Sequence, residues 1–424
     1  MIRHSQLFSG FNPALPALAL FITLLACSDR PRSNPLDPQN TDSNNANAGF
    51  NALAGNEQVL LHWDQLTFED LRGIRVQRAV EGSGDTLTLT DSSLSAKSTF
   101  FLDNSAENGT TYSYNLQFML NGSSERPKSK PDLATPGEVF GWLELVDYGE
   151  VVLMTPDFRD EITSLNVSFP GIIDIQVGPA VWVLDGSSGQ INRYSLNGEA
   201  LDEGAILNSV RAFRFNQQDF TAWVAVDGDN GIVYHFSSSG ELLSSFNTNL
   251  PVTWLALEYL RGQIWVGSSS QAVARFDPIV GNIVQFTDPE FVSPQVVVVG
   301  QNSTLAYILD SGARKVFQVD NSGVAWKLGG FSNPSDIAVD INGDFCWVTD
   351  PDADKLFEID RHGKITAQVT GLGKPHRLIY DNRNSTLYVT GTTGEITNLS
   401  PGGVINWQVK NPYQPGRIAL QFAN

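Results

Sequence analysis

The stretch Val181-Trp182-Val183-Leu184-Asp185 decides the fold, because close variants of it recur along the last two thirds of the chain. Each copy is apolar, carries Trp or Tyr at its second position, and in most cases ends in Asp. The other copies are residues 222–227, 264–268, 306–310, 346–350 and 387–391. Their ends lie 42, 41, 42, 40 and 41 residues apart. Short apolar runs of this composition are typical of buried strands.

Each copy lies within a larger unit of about 41 residues. A Pro- or Ser-led apolar strand precedes the copy, and a second strand that ends at a Gly turn follows it. A period of this length with three or four short strands predicts a β-propeller. The units resemble NHL and YVTN-type repeats, and residues 334–350 carry the closest match.

The number of blades follows from the length. Residues 138–424 number 424 − 137 = 287, which is seven units of 41. Residues 415–422 form a lone first strand, and its expected partners are residues 142–145, 151–154 and 162–165. Such a mixed blade would close the ring and leave no exposed strand edge. Six blades remain the alternative, if 138–168 packs as a linker.

A separate β domain is predicted before the propeller, over residues 48–136. Its strands contain Trp63 and the alternating run from Tyr112 to Phe118. These residues resemble a fibronectin type III domain, in which such a Trp lies in the core and such a Tyr bonds the backbone upstream. The resemblance implies a spacer or adhesive module. The predicted fold class is therefore all-β: a fibronectin type III-like sandwich followed by a seven-bladed propeller.

The N-terminus predicts export and a membrane anchor. Residues 1–27 contain an apolar segment too short to span a bilayer, and it ends in Leu24-Leu25-Ala26-Cys27. This ending resembles the lipobox of bacterial lipoproteins, which implies lipidation of Cys27. Ser28 then implies the outer membrane in preference to the inner one. Residues 28–47 are polar and Pro-rich, as in a disordered tether.

Charge argues against nucleic-acid binding, and cysteine content argues against an intrachain disulfide. The chain has 46 acidic and 27 basic residues, a net charge of −19, which disfavours nucleic-acid binding. Cys346 is the other cysteine, so lipidation of Cys27 would leave no intrachain disulfide. We expect a monomer, without a cofactor or a resident metal.

Candidate ligand-binding residues are those at the start of each innermost strand, where side chains face the channel mouth. That position predicts Ile172, Arg211, Thr253, Val296, Asp336, Arg377 and Arg417, with His376 beside it. Three arginines suit an anionic ligand such as a carboxylate or sulfate. The alternative is a solvated channel in which Arg377 or Arg417 pairs with Asp336. Acidic loops at 227–230 and 350–355 suggest turns more than Ca²⁺ sites.

Two functions are compatible with these residues. The first is a binding or scaffold protein whose channel face engages a protein, peptide or glycan. It is favoured because the sequence has no nucleophile elbow, phosphate loop or CxxC motif. The second is a metal-dependent lyase or hydrolase of the virginiamycin B lyase-like or gluconolactonase-like type. Virginiamycin B lyase-like propellers share the exported NHL-like repeat, whereas the channel positions here are mostly Arg, Thr and aliphatic, which argues against the gluconolactonase mechanism. The resemblance would place such chemistry near Asp336, His376 and Arg377.

Overall fold

A computed structural model describes residues 49–66, 70–122, 127–165, 167–169, 171–201, 210–216, 218–226, 231–237 and 241–423. Cys27, the predicted signal peptide, the predicted tether and the acidic loop 227–230 lie outside the described residues. The described part consists of strands, turns and irregular segments, without a helix. It therefore holds no helix long and apolar enough to cross a membrane.

The chain divides into two compact units. Among the described residues, the first contains those of 49–141, 153–163 and 422–423, and the second contains those of 142–152 and 164–421.

Two antiparallel sheets form the N-terminal part of the first unit. One has the order β1-β2-β6; the other has the order β4-β3-β7-β8, with β5 also paired to β3. The strands are β1 Asn51–Ala54, β2 Val59–His62, β3 Leu71–Val80, β4 Leu87–Thr88, β5 Leu94–Ser95, β6 Phe100–Asp103, β7 Tyr112–Leu120 and β8 Asp132–Ala134.

The core of this unit follows from the alternation along β7. Tyr112, Tyr114, Leu116 and Phe118 are buried on one side of that strand, and Trp63 packs in the same cluster. The Tyr112 hydroxyl accepts a hydrogen bond from the N–H of Glu107, at 3.1 Å. This is the upstream backbone contact that the sequence predicts for Tyr112.

Replacing Tyr112 by Phe is expected to lower the free energy of unfolding of the first unit by about 1 kcal/mol, because the Glu107 N–H loses its acceptor. Urea denaturation measures the loss. Leu87→Ala is the control, since Leu87 is exposed on β4 and should change stability by less than about 0.5 kcal/mol. An unchanged Tyr112→Phe variant would show that the contact contributes nothing.

From Val139 onward the described residues form seven antiparallel sheets. Their orders are β11-β10-β9-β35, β12-β13-β14, β15-β16-β17-β18, β19-β20-β21-β22, β23-β24-β25-β26, β27-β28-β29-β30 and β31-β32-β33-β34. The strands are β9 Val139–Leu145, β10 Glu150–Met154, β11 Glu161–Ser164, β12 Ile172–Val177, β13 Val181–Asp185, β14 Gln190–Tyr194, β15 Val210–Phe215, β16 Ala222–Val226, β17 Ile232–Phe236, β18 Leu242–Asn247, β19 Val252–Glu258, β20 Gln263–Ser268, β21 Ala272–Phe276, β22 Ile283–Thr287, β23 Pro294–Val299, β24 Ala306–Asp310, β25 Lys315–Asp320, β26 Gly323–Leu328, β27 Asp336–Val339, β28 Phe345–Asp350, β29 Lys355–Asp360, β30 Ile365–Thr370, β31 Pro375–Asp381, β32 Thr386–Gly391, β33 Glu395–Ser400, β34 Val404–Lys410 and β35 Pro415–Phe422.

The position of a strand in its sheet explains its composition. The second strands are the repeated motifs, and β24 is buried at every residue because other sheets cover both of its faces. The outermost strand β30 instead alternates half-buried and exposed residues, so one of its faces meets solvent. Trp265 and Trp347 are fully buried and pack against the following sheet.

The first strands of the second unit surround a common axis. From β12 to β31 they lie side by side in chain order. Arg417 on β35 reaches Trp254 on β19, with the guanidinium carbon 6.0 Å from the ring centroid. Hydroxyl groups connect neighbouring sheets at this axis: Thr253 donates to the carbonyl of Gln295, Ser335 to that of His376 and Thr390 to that of Gly416. A central channel therefore runs between the first strands.

Candidate functional site

A β-bulge at the start of the first strands determines which side chains face the channel. The register shifts at residues 172–174, 210–212, 252–254, 294–296 and 375–377. The residue after each bulge pairs with the equivalent residue of the second strand. These aligned residues are Asp174, Ala212, Trp254, Val296 and Arg377. Asp336, the first residue of β27, pairs with Thr349 at the same position without a register shift. Arg417 is equivalent to Arg377, because it too follows a carbonyl that accepts a hydroxyl from the preceding sheet.

Because of the bulge, three of the residues predicted to face the channel mouth do not occupy the aligned position. Ile172 lies two residues before the aligned position, while Arg211 and Thr253 lie one residue before it. Arg211 is exposed in the bulge, and the Thr253 hydroxyl donates to Gln295, 2.9 Å away. The extra bulge residue reverses the side that each side chain faces, and the spacing of the repeats does not reveal it. Asp336, Arg377 and Arg417 are brought together at the channel.

Asp174 and Arg214 form an ion pair that sequence reasoning missed. The Arg214 guanidinium donates to Asp174 and lies 4.2 Å from the ring centroid of Trp254. Gln176 donates to Asp174 at 2.9 Å and accepts from the N–H of Phe215 at 2.7 Å, which fixes β12 against β15. Arg214 lies two residues after Ala212, so strand alternation from the corrected register would have indicated it.

Arg377 and Arg417 have no such carboxylate partner. Neither guanidinium forms an ion pair or a hydrogen bond with any described residue. The Nε of Arg417 and the Nε1 of Trp254 are buried and have no hydrogen-bond partner in the described part of the chain. Burial lowers the pKa of Arg377, and Arg417 lowers it further, against the opposing effect of Asp336, Glu144 and Asp174. The channel therefore contains buried N–H donors that have no hydrogen-bond acceptor among the described residues.

Asp336 and His376 lie near the arginines but do not neutralise them by contact. Asp336 is buried and accepts the N–H groups of Ile337, at 3.0 Å, and Leu378, at 3.2 Å. Burial raises the pKa of Asp336, while Arg377 and Arg417 oppose that shift. Burial, followed by the charges of Arg377 and Arg417, lowers the pKa of His376 to about 4. His376 is therefore neutral near pH 7.

The described acidic loop has a structural role. Asp350 accepts N–H groups from Ser332, Asn333 and Ala353. Asp354 accepts the N–H of Lys374 at 2.7 Å. These are turn contacts of the kind that Asp commonly makes. Within the described ranges no three His, Cys, Asp or Glu side chains are grouped as a metal ion would require.

The radial order of the first strands now identifies the architecture. The fold is β-propeller-like and all-β. Among solved structures, the chain resembles a functionally unknown protein from Desulfotomaculum acetoxidans, with a TM-score of 0.54 and 13% identity over 67% of this chain and 99% of that one. A streptogramin B lyase matches with a TM-score of 0.49 and 16% identity, over 64% of this chain and 87% of that one.

Virginiamycin B lyase from Staphylococcus aureus matches with a TM-score of 0.47 and 13% identity, over 74% of this chain and 95% of that one. No protein-family model and no curated protein sequence matches this chain. At these identities the similarity concerns the fold alone, so the chemistry of the channel must be argued from its own side chains.

The buried charge of Arg377 is expected to reduce stability. Because its pKa is lowered, the folded state disfavours its charged form relative to water. Arg377→Met should raise the free energy of unfolding by about 1 kcal/mol. Urea denaturation measures this, with Arg361→Met as the control, since Arg361 is exposed and pairs with Asp344 at 3.4 Å. A loss of stability in Arg377→Met would assign Arg377 a structural role.

His376 is expected to make stability depend on pH. Its pKa is about 4 when folded and 6.5 ordinarily, so between these values the unfolded chain takes up a proton that the folded chain does not. Stability should therefore fall as the pH drops from 6.5 to 4, and His376→Gln should remove that part of the fall. Urea denaturation midpoints at several pH values compare the wild type with His376→Gln. The raised pKa of Asp336 affects stability in the opposite direction, and this effect is the same in both proteins. If the stability of the two proteins changes with pH in the same way, His376 does not cause the fall.

Proposed function

We propose that this chain is an exported, lipid-anchored binding or scaffold protein, monomeric and without affinity for nucleic acid. Its channel face engages a protein, peptide or glycan through an anionic group. The proposed parts are a signal peptide over 1–27 with lipidated Cys27, a tether over 28–47, a fibronectin type III-like spacer over 48–136 and a seven-bladed propeller over 138–424.

The sheets and their contacts support this arrangement. Seven sheets follow Val139, and the sheet that contains β9 includes the C-terminal strand β35. The contact from Glu107 to Tyr112 and the buried Trp63 support the spacer assignment. The anchor rests on the residues around Cys27 alone.

The unpartnered arginines carry the functional proposal. A partly buried cation without a carboxylate contact is costly, and Arg377 and Arg417 both lie near the channel axis. The guanidinium group of arginine has two parallel N–H donors, and these match two oxygens of a carboxylate, sulfate or phosphate. An anion placed there would also accept from the buried Nε1 of Trp254, which lacks an acceptor among the described residues. One ligand group would thus satisfy three donors.

Anion binding to the double variant Arg377→Met/Arg417→Met tests the proposal. The full mature chain would be titrated with sodium sulfate and with sodium acetate at low ionic strength by calorimetry. The variant should bind at least 10-fold more weakly, whereas Arg361→Met should bind as the wild type does. If the wild type binds neither anion, or if the double variant keeps its affinity, the channel is not the binding site.

Cell fractionation tests the anchor separately. Cys27→Ser removes the thiol that would carry the lipid. The variant should leave the membrane fraction while the wild type stays there. A Cys27→Ser protein that remains membrane-bound would disprove lipidation at this residue.

The alternative function, a metal-dependent lyase or hydrolase, makes a different prediction. It would use Asp336 and His376, but both Asp336 oxygens already accept backbone N–H groups. Metal analysis of the purified protein decides between the two functions. Stoichiometric Ca²⁺ or Mg²⁺ that is lost on Asp336→Ala would replace the binding proposal.

A further inference from the structure

The depth of the channel donors restricts the shape of an anionic ligand. Asp336 is only 7% exposed, and the Nε of Arg417 and the Nε1 of Trp254 are buried. An anionic group must therefore pass the channel mouth to reach them. A carboxylate at the end of a slender, flexible stem can do this. A carboxylate fixed directly to a sugar ring would have to bring the wider ring in with it.

A pair of exposed tyrosines lies at the same end of the channel. Tyr148 and Tyr413 pack edge to face, with centroids 4.9 Å apart, although they are 52% and 40% exposed. The backbone beneath them is fixed, because the N–H of Val146 donates to the carbonyl of Gln414 at 2.9 Å and the N–H of Gln414 donates to Asp147 at 2.9 Å. The aromatic pair is thus exposed yet well positioned.

The two tyrosines flank a pair of neighbouring strands, β9 and β35, and β35 carries Arg417. Tyr413 lies four residues before Arg417, and Tyr148 lies four residues after Glu144. Glu144 accepts the backbone N–H of Arg417 at 3.0 Å. Tyr148 lies in the turn after β9 and Tyr413 in the segment before β35, so four residues span at most about 13 Å, which is also the length of about four residues of an extended peptide. A peptide whose acidic side chain reaches the arginines would therefore extend to the tyrosines.

We infer that the channel binds the carboxylate of an acidic peptide segment, and that Tyr148 and Tyr413 contact residues up to about four positions away on that segment. This inference rests on the proposed binding function and assigns its ligand class. Exposed tyrosines at a rim suit a peptide, because aromatic side chains are enriched in protein interfaces and supply much of their affinity. Arg377 and Arg417 lack a carboxylate contact among the described residues, and the side chain of an acidic segment would supply one.

Four probes test the inference on the full mature chain. They are the peptide acetyl-Leu-Ala-Ala-Glu-Ala-Ala-Leu-amide, the same peptide with Gln in place of Glu, sodium glucuronate and sodium sulfate. Calorimetry should show the Glu peptide binding at least 10-fold more tightly than the Gln peptide and glucuronate. Tyr148→Ala/Tyr413→Ala should weaken binding of the Glu peptide at least 5-fold and leave sulfate affinity unchanged. Circular dichroism would verify that the variant is folded.

The outcomes separate this inference from the proposed function. Glucuronate or sulfate binding as tightly as the Glu peptide would overturn the peptide assignment, while anion binding in the channel would stand. Unchanged peptide affinity in the tyrosine variant would also overturn it. If no anionic probe binds the wild type, the proposed function itself fails.

Discussion

Deletion of residues 415–424 is expected to abolish cooperative folding of the second unit. The deletion removes β35, whose Ile418, Ala419 and Leu420 are buried. It also removes the acceptor of the Trp142 indole N–H, the Gln421 Oε1 at 2.8 Å. Loss of this buried apolar surface alone should cost about 5 kcal/mol. Near-ultraviolet circular dichroism and urea denaturation would report the loss of packing.

A shorter truncation serves as the control for this deletion. Ending the chain after Phe422 keeps β35 and should shift stability by less than about 1 kcal/mol. A synthetic peptide covering residues 411–424, added to the truncated protein, should restore part of the signal by pairing with the exposed edge of β9. A truncated protein that unfolds as cooperatively as the wild type would show that β35 is dispensable.

The repeated strands were predictable because their pattern is local and regular. The motifs at 181–185 and 306–310 coincide with β13 and β24, and the others differ from their strands by one residue at most. Each motif is an apolar run between turn residues, and a strand buried on both faces requires that composition. The C-terminal strand could also be anticipated, since residues 415–422 have the pattern of a first strand without its successors.

The channel was less predictable than the strands around it. Asp336, Arg377 and Arg417 were identified from their position in the repeat, whereas Asp174, Arg214 and Trp254 were missed. A bulge adds one residue without changing the length of the repeat, so the register had to come from the strand pairing. The contact between Arg417 and Trp254 joins residues 163 positions apart (417 − 254), which no local pattern indicates. Lipidation of Cys27 stays a prediction.

Glu358→Ala is expected to destabilise the propeller-like unit by about 2 kcal/mol. Glu358 is buried on β29, and its carboxylate accepts from the indole of Trp347 at 3.1 Å, the hydroxyl of Thr366 at 2.7 Å and the N–H of Gly402 at 2.6 Å. Gly402 belongs to the following sheet, so one side chain connects two sheets. The alanine variant leaves the buried Trp347 indole N–H without an acceptor, at a cost of roughly 1–3 kcal/mol. Thr366 and Gly402 are exposed to water, and the Thr366 hydroxyl also donates to the Glu358 carbonyl at 3.3 Å, so these two losses add less.

Urea denaturation followed by tryptophan fluorescence measures this effect, and Glu199→Ala provides the matched control. Glu199 is exposed, and its loss should change stability by less than about 0.5 kcal/mol. Glu358→Gln should lie between the two, because the amide keeps one acceptor but presents an N–H₂ to the remaining donors. If Glu358→Ala costs less than about 1 kcal/mol, water satisfies these donors, and the carboxylate does not hold the two sheets together.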